Sequence, residues 1–148
     1  MIAEPHLIDS NIIVYAYSEE SAKWVVARDI VDDAFDSHQG MVSVQNVAEF
    51  TRVALEKFKR PLSVEQTVRL VSQLARCLPV LKYGPDTIAR AAEIRAEYGI
   101  HFFDALLVAT MREHHLATIV TENEKDFRKI PGLTVVNPFK TATRGVKG

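Results

Sequence analysis

The chain has 148 residues, 47% of them hydrophobic and 25% charged, with a formal net charge of −1, the profile of one ordinary globular domain large enough to bury a core. No apolar run approaches the roughly 20 residues needed to cross a bilayer, and no basic segment followed by an apolar stretch and a cleavage site opens the chain, so a cytoplasmic address is expected. A near-neutral balance excludes a global positive field for nucleic acid, and the single cysteine, Cys77, excludes an internal disulfide or a Cys-based zinc site.

Short apolar runs without alternation predict strands buried on both faces at His6–Asp9, Gly40–Ser43, Leu78–Leu81, Thr118–Val120 and Thr134–Val136. Helices are expected between them, at Asn11–Ser18, Ser21–His38, Val44–Lys59, Ser63–Arg76, Pro85–Tyr98 and Phe102–His115. Ser63 with Gln66 has the spacing of a capping box, Pro61 separates two helices, Pro85 suits a first turn, and Gly99 stops the helix after Tyr98. Strands alternating with helices define an α/β class with a mainly parallel sheet covered on both faces. Residues 1–140 read as a single domain, and Thr141–Gly148, short, polar and weakly basic, as a mobile tail.

Ligands of such sheets bind beyond the carboxyl ends of the strands, and four acids draw notice there: Asp9, Glu49, Asp104 and Asp126. Asp9 follows the first strand, where it suits helix capping as well as ligation. Asp104 interrupts the apolar stretch Ile100 to Met111. A buried carboxylate must be paired, hydrogen-bonded or metal-bound, with first-turn placement as the competing role. Glu49 points away from the stripe Val47, Phe50, Ala54 and Phe58, so periodicity reads it as solvated unless a second surface with Asn46 and Val53 faces a cleft. Asp126 serves equally as a turn residue, and Glu122 and Asn123 are near enough to take its place. Converged carboxylates need a cation, which makes a divalent-metal site the leading idea.

Other chemistries find less support. The five histidines offer no pair at helical metal-ligand spacing, and most read as surface or boundary residues. No glycine-rich phosphate loop and no nucleophile elbow occurs. Glu56, Lys57, Lys59 and Arg60 form a charged helix end that reads as solvated surface, although Arg52, Lys57, Lys59 and Arg60 could steer phosphates. Tyr15, Tyr17 and Trp24 are expected to pack a core or meet a partner.

Together these residues resemble a PIN domain, and specifically the VapC-type toxins of bacterial toxin–antitoxin pairs. The resemblance is carried by Ile8-Asp9-Ser10-Asn11, Val47-Ala48-Glu49-Phe50, Phe103-Asp104-Ala105-Leu106 and Thr121-Glu122-Asn123-Glu124-Lys125-Asp126-Phe127. Ile130-Pro131-Gly132-Leu133 and Val136-Asn137-Pro138 follow, so it spans essentially the whole chain. Ser10 stands where Thr is more usual. The resemblance implies a three-layer α/β/α sandwich and an acidic cluster of Asp9, Glu49, Asp104 and Asp126 holding Mg²⁺ or Mn²⁺, with Asn11, Thr121 and Asn123 in support. It further implies a ribonuclease acting on tRNA or rRNA, a VapB-like antitoxin partner and a homodimer.

All-oxygen ligation suits these hard cations rather than zinc. Hydrolysis by water, rather than attack by a ribose 2′-hydroxyl, would leave 5′-phosphate ends. Two enzyme alternatives fit less well. A haloacid-dehalogenase-type phosphatase needs an Asp where Asn11 stands, and a receiver-type switch lacks its late Lys. A non-catalytic RNA- or protein-binding module of the same fold is the alternative of another class. Tyr15, Tyr17, Trp24 and Val25 are the expected wall of an antitoxin groove.

Overall fold

The computed structural model describes residues 2–140. The expected tail, 141–148, lies outside the described residues. Five strands form one sheet: β1 (His6–Ile8), β2 (Gly40–Ser43), β3 (Val80–Leu81), β4 (Thr118–Val120) and β5 (Thr134–Val136). Their order is β3-β2-β1-β4-β5, and each neighbouring pair is parallel. The helices are α1 (Ser10–Ala16), α2 (Trp24–Ser37), α3 (Val44–Glu56), α4 (Val64–Cys77), α5 (Pro85–Tyr98), α6 (Phe102–Glu113) and α7 (Glu124–Phe127).

The strand order accounts for the three layers. The chain steps outward from β1 to β3, then returns past β1 to β4. Right-handed crossovers put helices on opposite faces when the direction of travel reverses. Accordingly Ile8, Val42 and Val120 pack with residues of α1, α2, α3 and α4, whereas Leu7 and Ile119 pack with α5 and α6. Alternate residues of each short strand thus enter different cores, which is why the strands read as unbroken apolar runs. The reversal falls between β1 and β4, and the crevice outside their carboxyl ends is where such a fold binds ligands.

Local chemistry sets the helix limits. Ser43 with Asn46 and Ser63 with Gln66 close capping boxes at the starts of α3 and α4, and Gly99, at φ 66°, ends α5 in the left-handed region. The expected helix from Ser21 begins three residues late because Ser21 instead accepts, through its hydroxyl and carbonyl, from the N–H groups of Lys23 and Trp24. The single-turn α7 lies in a stretch whose sequence reads as loop. His6 is fully buried in β1, as expected of a strand covered on both faces, with its Nδ1 2.8 Å from the Glu4 carbonyl oxygen. Among the described residues, no helix is long and apolar enough to cross a membrane.

Candidate active site

At the switch point the backbone ladder runs one residue beyond β1 and β4. The Asp9 N–H donates to the Val120 carbonyl at 3.0 Å, and the Thr121 N–H to the Val136 carbonyl at 2.9 Å. Asp9 and Thr121 are therefore held by the sheet itself. The Thr121 hydroxyl donates to Asp9 Oδ2 at 2.8 Å, and Asn11 Nδ2 lies 3.4 Å from that oxygen. Asp9 Oδ1 accepts from the Ser10 N–H at 2.8 Å and from Asn46 Nδ2 at 3.3 Å. Asp9 thus does cap α1, but the cap uses one oxygen and leaves the other to the crevice residues. Burial raises its pKa, against the Thr121 hydroxyl and the Ser10 groups, which lower it.

The start of α3 supplies the second wall. Asn46 Oδ1 accepts from the Ser43 N–H at 3.0 Å, which turns its amide nitrogen toward Asp9. One turn on, Glu49 Oε1 lies 3.4 Å from Ser10 Oγ and 3.4 Å from Gln45 Nε2. Gln45 also donates to the Phe103 carbonyl at 3.1 Å, joining α3 to the first turn of α6. The solvated reading of Glu49 is therefore overturned: Gln45, Asn46 and Glu49 form a second, polar face of α3, with Gln45 and Asn46 buried and Glu49 half-buried. Burial raises the Glu49 pKa and the Asp9 charge raises it further, while Gln45, Ser10 and Arg52 oppose them.

Asp104 occupies the first turn of α6 and Asp126 lies in α7. Their carboxyls share a hydrogen bond. Burial, that bond, and the charges of Asp9, Asp126 and Glu49 push Asp104 up to about 7. For Asp126, burial acts upward but is outweighed by the His101 N–H, 3.0 Å from Oδ2, by the Asp104 carboxyl, and by the charges of His101 and Lys129, so its pKa falls. The two shifts run in opposite directions, so Asp104 is the member of the pair that keeps its proton to higher pH. Asp104 thus combines first-turn placement with membership of the cluster.

Asp126, not its neighbours, meets the other acids. Glu122 is engaged by Lys23 and by the Tyr15 hydroxyl at 2.7 Å. Glu124 is engaged by Arg128 and Lys140, which with Asn137 hold its pKa down to about 2. The exposed Asn123 reaches the site through its backbone, the N–H donating to Thr121 Oγ1 at 3.0 Å. No ion pair among the described residues involves Asp9, Glu49, Asp104 or Asp126.

That donor set fits a hard divalent ion, because it offers carboxylate oxygens that no side-chain cation neutralises. As the side chains lie, no three acidic, His or Cys groups among the described residues converge closely enough to hold one ion.

Gln45 and the His101 N–H are site groups that the sequence reading missed. Gln45 had a signal, since it stands four residues before Glu49 and Asn46 three before it, marking a second helical stripe. A backbone donor such as His101 leaves none. Of the four basic residues singled out, all exposed, Arg52 is the one whose charge acts on a site acid. Lys57 caps the far end of α3, roughly 12 Å along the axis from Glu49, and Lys59 and Arg60 lie beyond it. Tyr15 meets Phe139 and Tyr17 meets Phe50, each at 5.5 Å between ring centres, while Val25 is 61% exposed.

A family profile for the PIN domain matches residues 6–133. No curated protein sequence matches the chain significantly. Among solved structures, a toxin–antitoxin complex from Klebsiella pneumoniae is similar at 26% identity, with 90% of this chain and 97% of that chain covered and a TM-score of 0.68. VapBC2 from Rickettsia felis, bound to a promoter DNA fragment, shares the fold at 21% identity, with 89% and 97% covered and a TM-score of 0.65. The sarcin–ricin loop cleaving toxin VapC20 from Mycobacterium tuberculosis also shares it, at 14% identity, 77% and 86% coverage and a TM-score of 0.60.

Proposed function

The chain belongs to the PIN-domain family, and from that premise we propose that it is a metal-dependent endoribonuclease, the toxin of a VapBC-type pair. The observation that carries this reading is that Asp9, Glu49 and Asp126 lie near enough to Asp104 at the β1/β4 switch point for their charges to act on it, with no side-chain cation paired to any of the four. Mg²⁺ or Mn²⁺ held by these four residues would acidify water and offset charge developing on a scissile phosphate.

The chain's own groups prepare for that. Thr121, Asn11 and Asn46 fix both oxygens of Asp9. Asn123, through its N–H, fixes the Thr121 hydroxyl in turn. Asp104 and Asp126 would ligate together only as anions, so a bound cation would favour loss of the proton from Asp104. Water then adds at phosphorus, the bond from phosphorus to the 3′-oxygen breaks, and that oxygen takes up a proton. The products carry 5′-phosphate and 3′-hydroxyl ends.

The substrate proposed is tRNA or rRNA, with Arg52 as the cation beside Glu49 and Lys57, Lys59 and Arg60 as a more distant patch. The partner proposed is a VapB-like antitoxin, supported by likeness to the Klebsiella toxin–antitoxin complex. Tyr15, Tyr17, Trp24 and Val25 would wall its groove, and the toxin would act as a homodimer in the cytoplasm.

The test is cleavage of total tRNA and rRNA by antitoxin-free protein in Mg²⁺ or Mn²⁺ against EDTA, with product ends mapped. Metal-dependent cuts leaving 5′-phosphates are expected, reduced at least about 100-fold in folded Asp9→Asn and Asp104→Asn. Turnover near the parent level in either folded variant would reject the site. Cyclic-phosphate ends would reject the mechanism. RNA bound but never cut would point to a binding module.

A further inference from the structure

An open cleft of about 390 Å³ lies beside the acid cluster, between the α5–α6 junction and α7 with the turn that follows it. Asp126 belongs to both, so whatever occupies the cleft adjoins the reacting centre. We propose that this cleft, through Arg95, Lys125 and Lys129, binds the RNA backbone phosphate next to the scissile one; the inference rests on the ribonuclease reading above.

The three cations reach the cleft from opposite walls, Arg95 from the last turn of α5, Lys125 from α7 and Lys129 from the turn beyond. All three are exposed, and no ion pair among the described residues engages any of them. Arg128, which lies between the two lysines in sequence, is committed to Glu124 instead. Lys129 Nζ stands 3.4 Å from the Gly99 carbonyl, so it leans across the cleft toward α5. Gly99 takes the left-handed turn that ends α5 and shapes this wall.

A phosphate is the ligand that suits these features. The walls are largely polar and cationic, which disfavours an apolar anchor. The chain as a whole is at −1, and its site concentrates four carboxylates, so a polyanion arriving there meets repulsion unless local cations flank it. Arg52 supplies one on the α3 side. The cleft supplies three on the Asp126 side, and these would set the path of the strand through the site.

Steady-state cleavage of total tRNA in Mn²⁺ over a salt series tests the proposal. The variant Arg95→Ala/Lys125→Ala is compared with Arg69→Ala/Arg76→Ala, which removes equal charge from exposed positions of α4, an element that carries none of the site residues. The first pair should raise KM about tenfold with kcat held within about twofold, and flatten the salt slope of log(kcat/KM) by about 0.7 for each phosphate no longer neutralised. Lys129→Ala added to it should flatten the slope further, while the distal pair should change KM less than about twofold. Thermal unfolding of every variant should match the parent, because all the altered residues are exposed. An unchanged KM and slope, or equal effects from both pairs, would overturn the cleft while leaving the nuclease intact. Absence of any cleavage by the parent protein would overturn both.

Discussion

Thr121 donates to one oxygen of Asp9 while Ser10 and Asn46 donate to the other, so an anion persists where burial favours the neutral acid. Hydrogen bonds to charged groups contribute about 1.5–3 kcal/mol, and outer groups that orient metal ligands typically matter about 10–100-fold. Thr121→Val should therefore weaken Mn²⁺ binding, read by calorimetry, and slow RNA cleavage by about that factor. Thr121→Ser, which keeps the hydroxyl, should stay within about threefold of the parent. Equal behaviour of Val and Ser would show that the hydroxyl does not orient Asp9. At this scale the sequence was unevenly legible. Asp104 stood out because a carboxylate inside an apolar helix is costly without a partner. Glu49 did not, because helical periodicity registers the face turned to the core, whereas its second face is defined by Ser10, which is 39 residues away in sequence. Choosing Asp126 over Glu122 required knowing that Lys23 and Tyr15 engage Glu122.

Elements hold these residues at fixed separation, and the junction of α2 with β2 illustrates how tightly. A methyl group at Gly40 would lie 2.5 Å from Ala34 Cβ, 2.9 Å from Ile8 Cδ1 and 3.0 Å from His6 Nε2. Each is a buried neighbour with little room to move, so Gly40→Ala should destabilise the fold by about 1–3 kcal/mol. Gly84→Ala is the control, since nothing lies within 4 Å of its added methyl and its backbone is extended. Urea unfolding should separate the two by a clear fall in midpoint for Gly40→Ala alone; coincident midpoints would mean that α2 and β2 slide apart freely. Strand positions were legible because buried parallel strands are compact apolar runs, and β2, β4 and β5 match their expected limits. Helix ends were less so. α3 stops at Glu56 rather than Lys59, and α7 is a single turn whose buried residues, Glu124, Asp126 and Phe127, include two acids, so it offers no apolar stripe to find.

For the whole molecule, the acid cluster couples stability to pH and to cations. Asp104 titrates at 3.8 as an ordinary carboxyl and at about 7 in the fold, so between those values the native chain binds more protons than the unfolded one. Stability must then fall as pH rises across that window. The contribution is complete below 3.8, is lost as the pH passes through about 7, and changes no further above it. Asp9 and Glu49, also raised, act in the same direction; Asp126, lowered, acts oppositely and below its ordinary value, so its stability is lost only in stronger acid. In EDTA the melting temperature should therefore decline between about pH 5 and pH 8, and Asp104→Asn should flatten the decline. At pH 8 that variant should be more stable than the metal-free parent, by on the order of 1 kcal/mol after solvent screening. Mn²⁺ should reverse the order. A ligand of the native state at about 100 times its Kd stabilises by about 2.7 kcal/mol, a gain the parent should realise at pH 8, progressively lose toward pH 5 as Asp104 keeps its proton, and largely forfeit in Asp104→Asn. Thermal unfolding across pH with Mn²⁺ or EDTA reads all of these shifts. Equal stabilisation of parent and variant by Mn²⁺ would place the ion elsewhere, and a pH slope untouched by Asp104→Asn would remove Asp104 from the coupling of charge to fold.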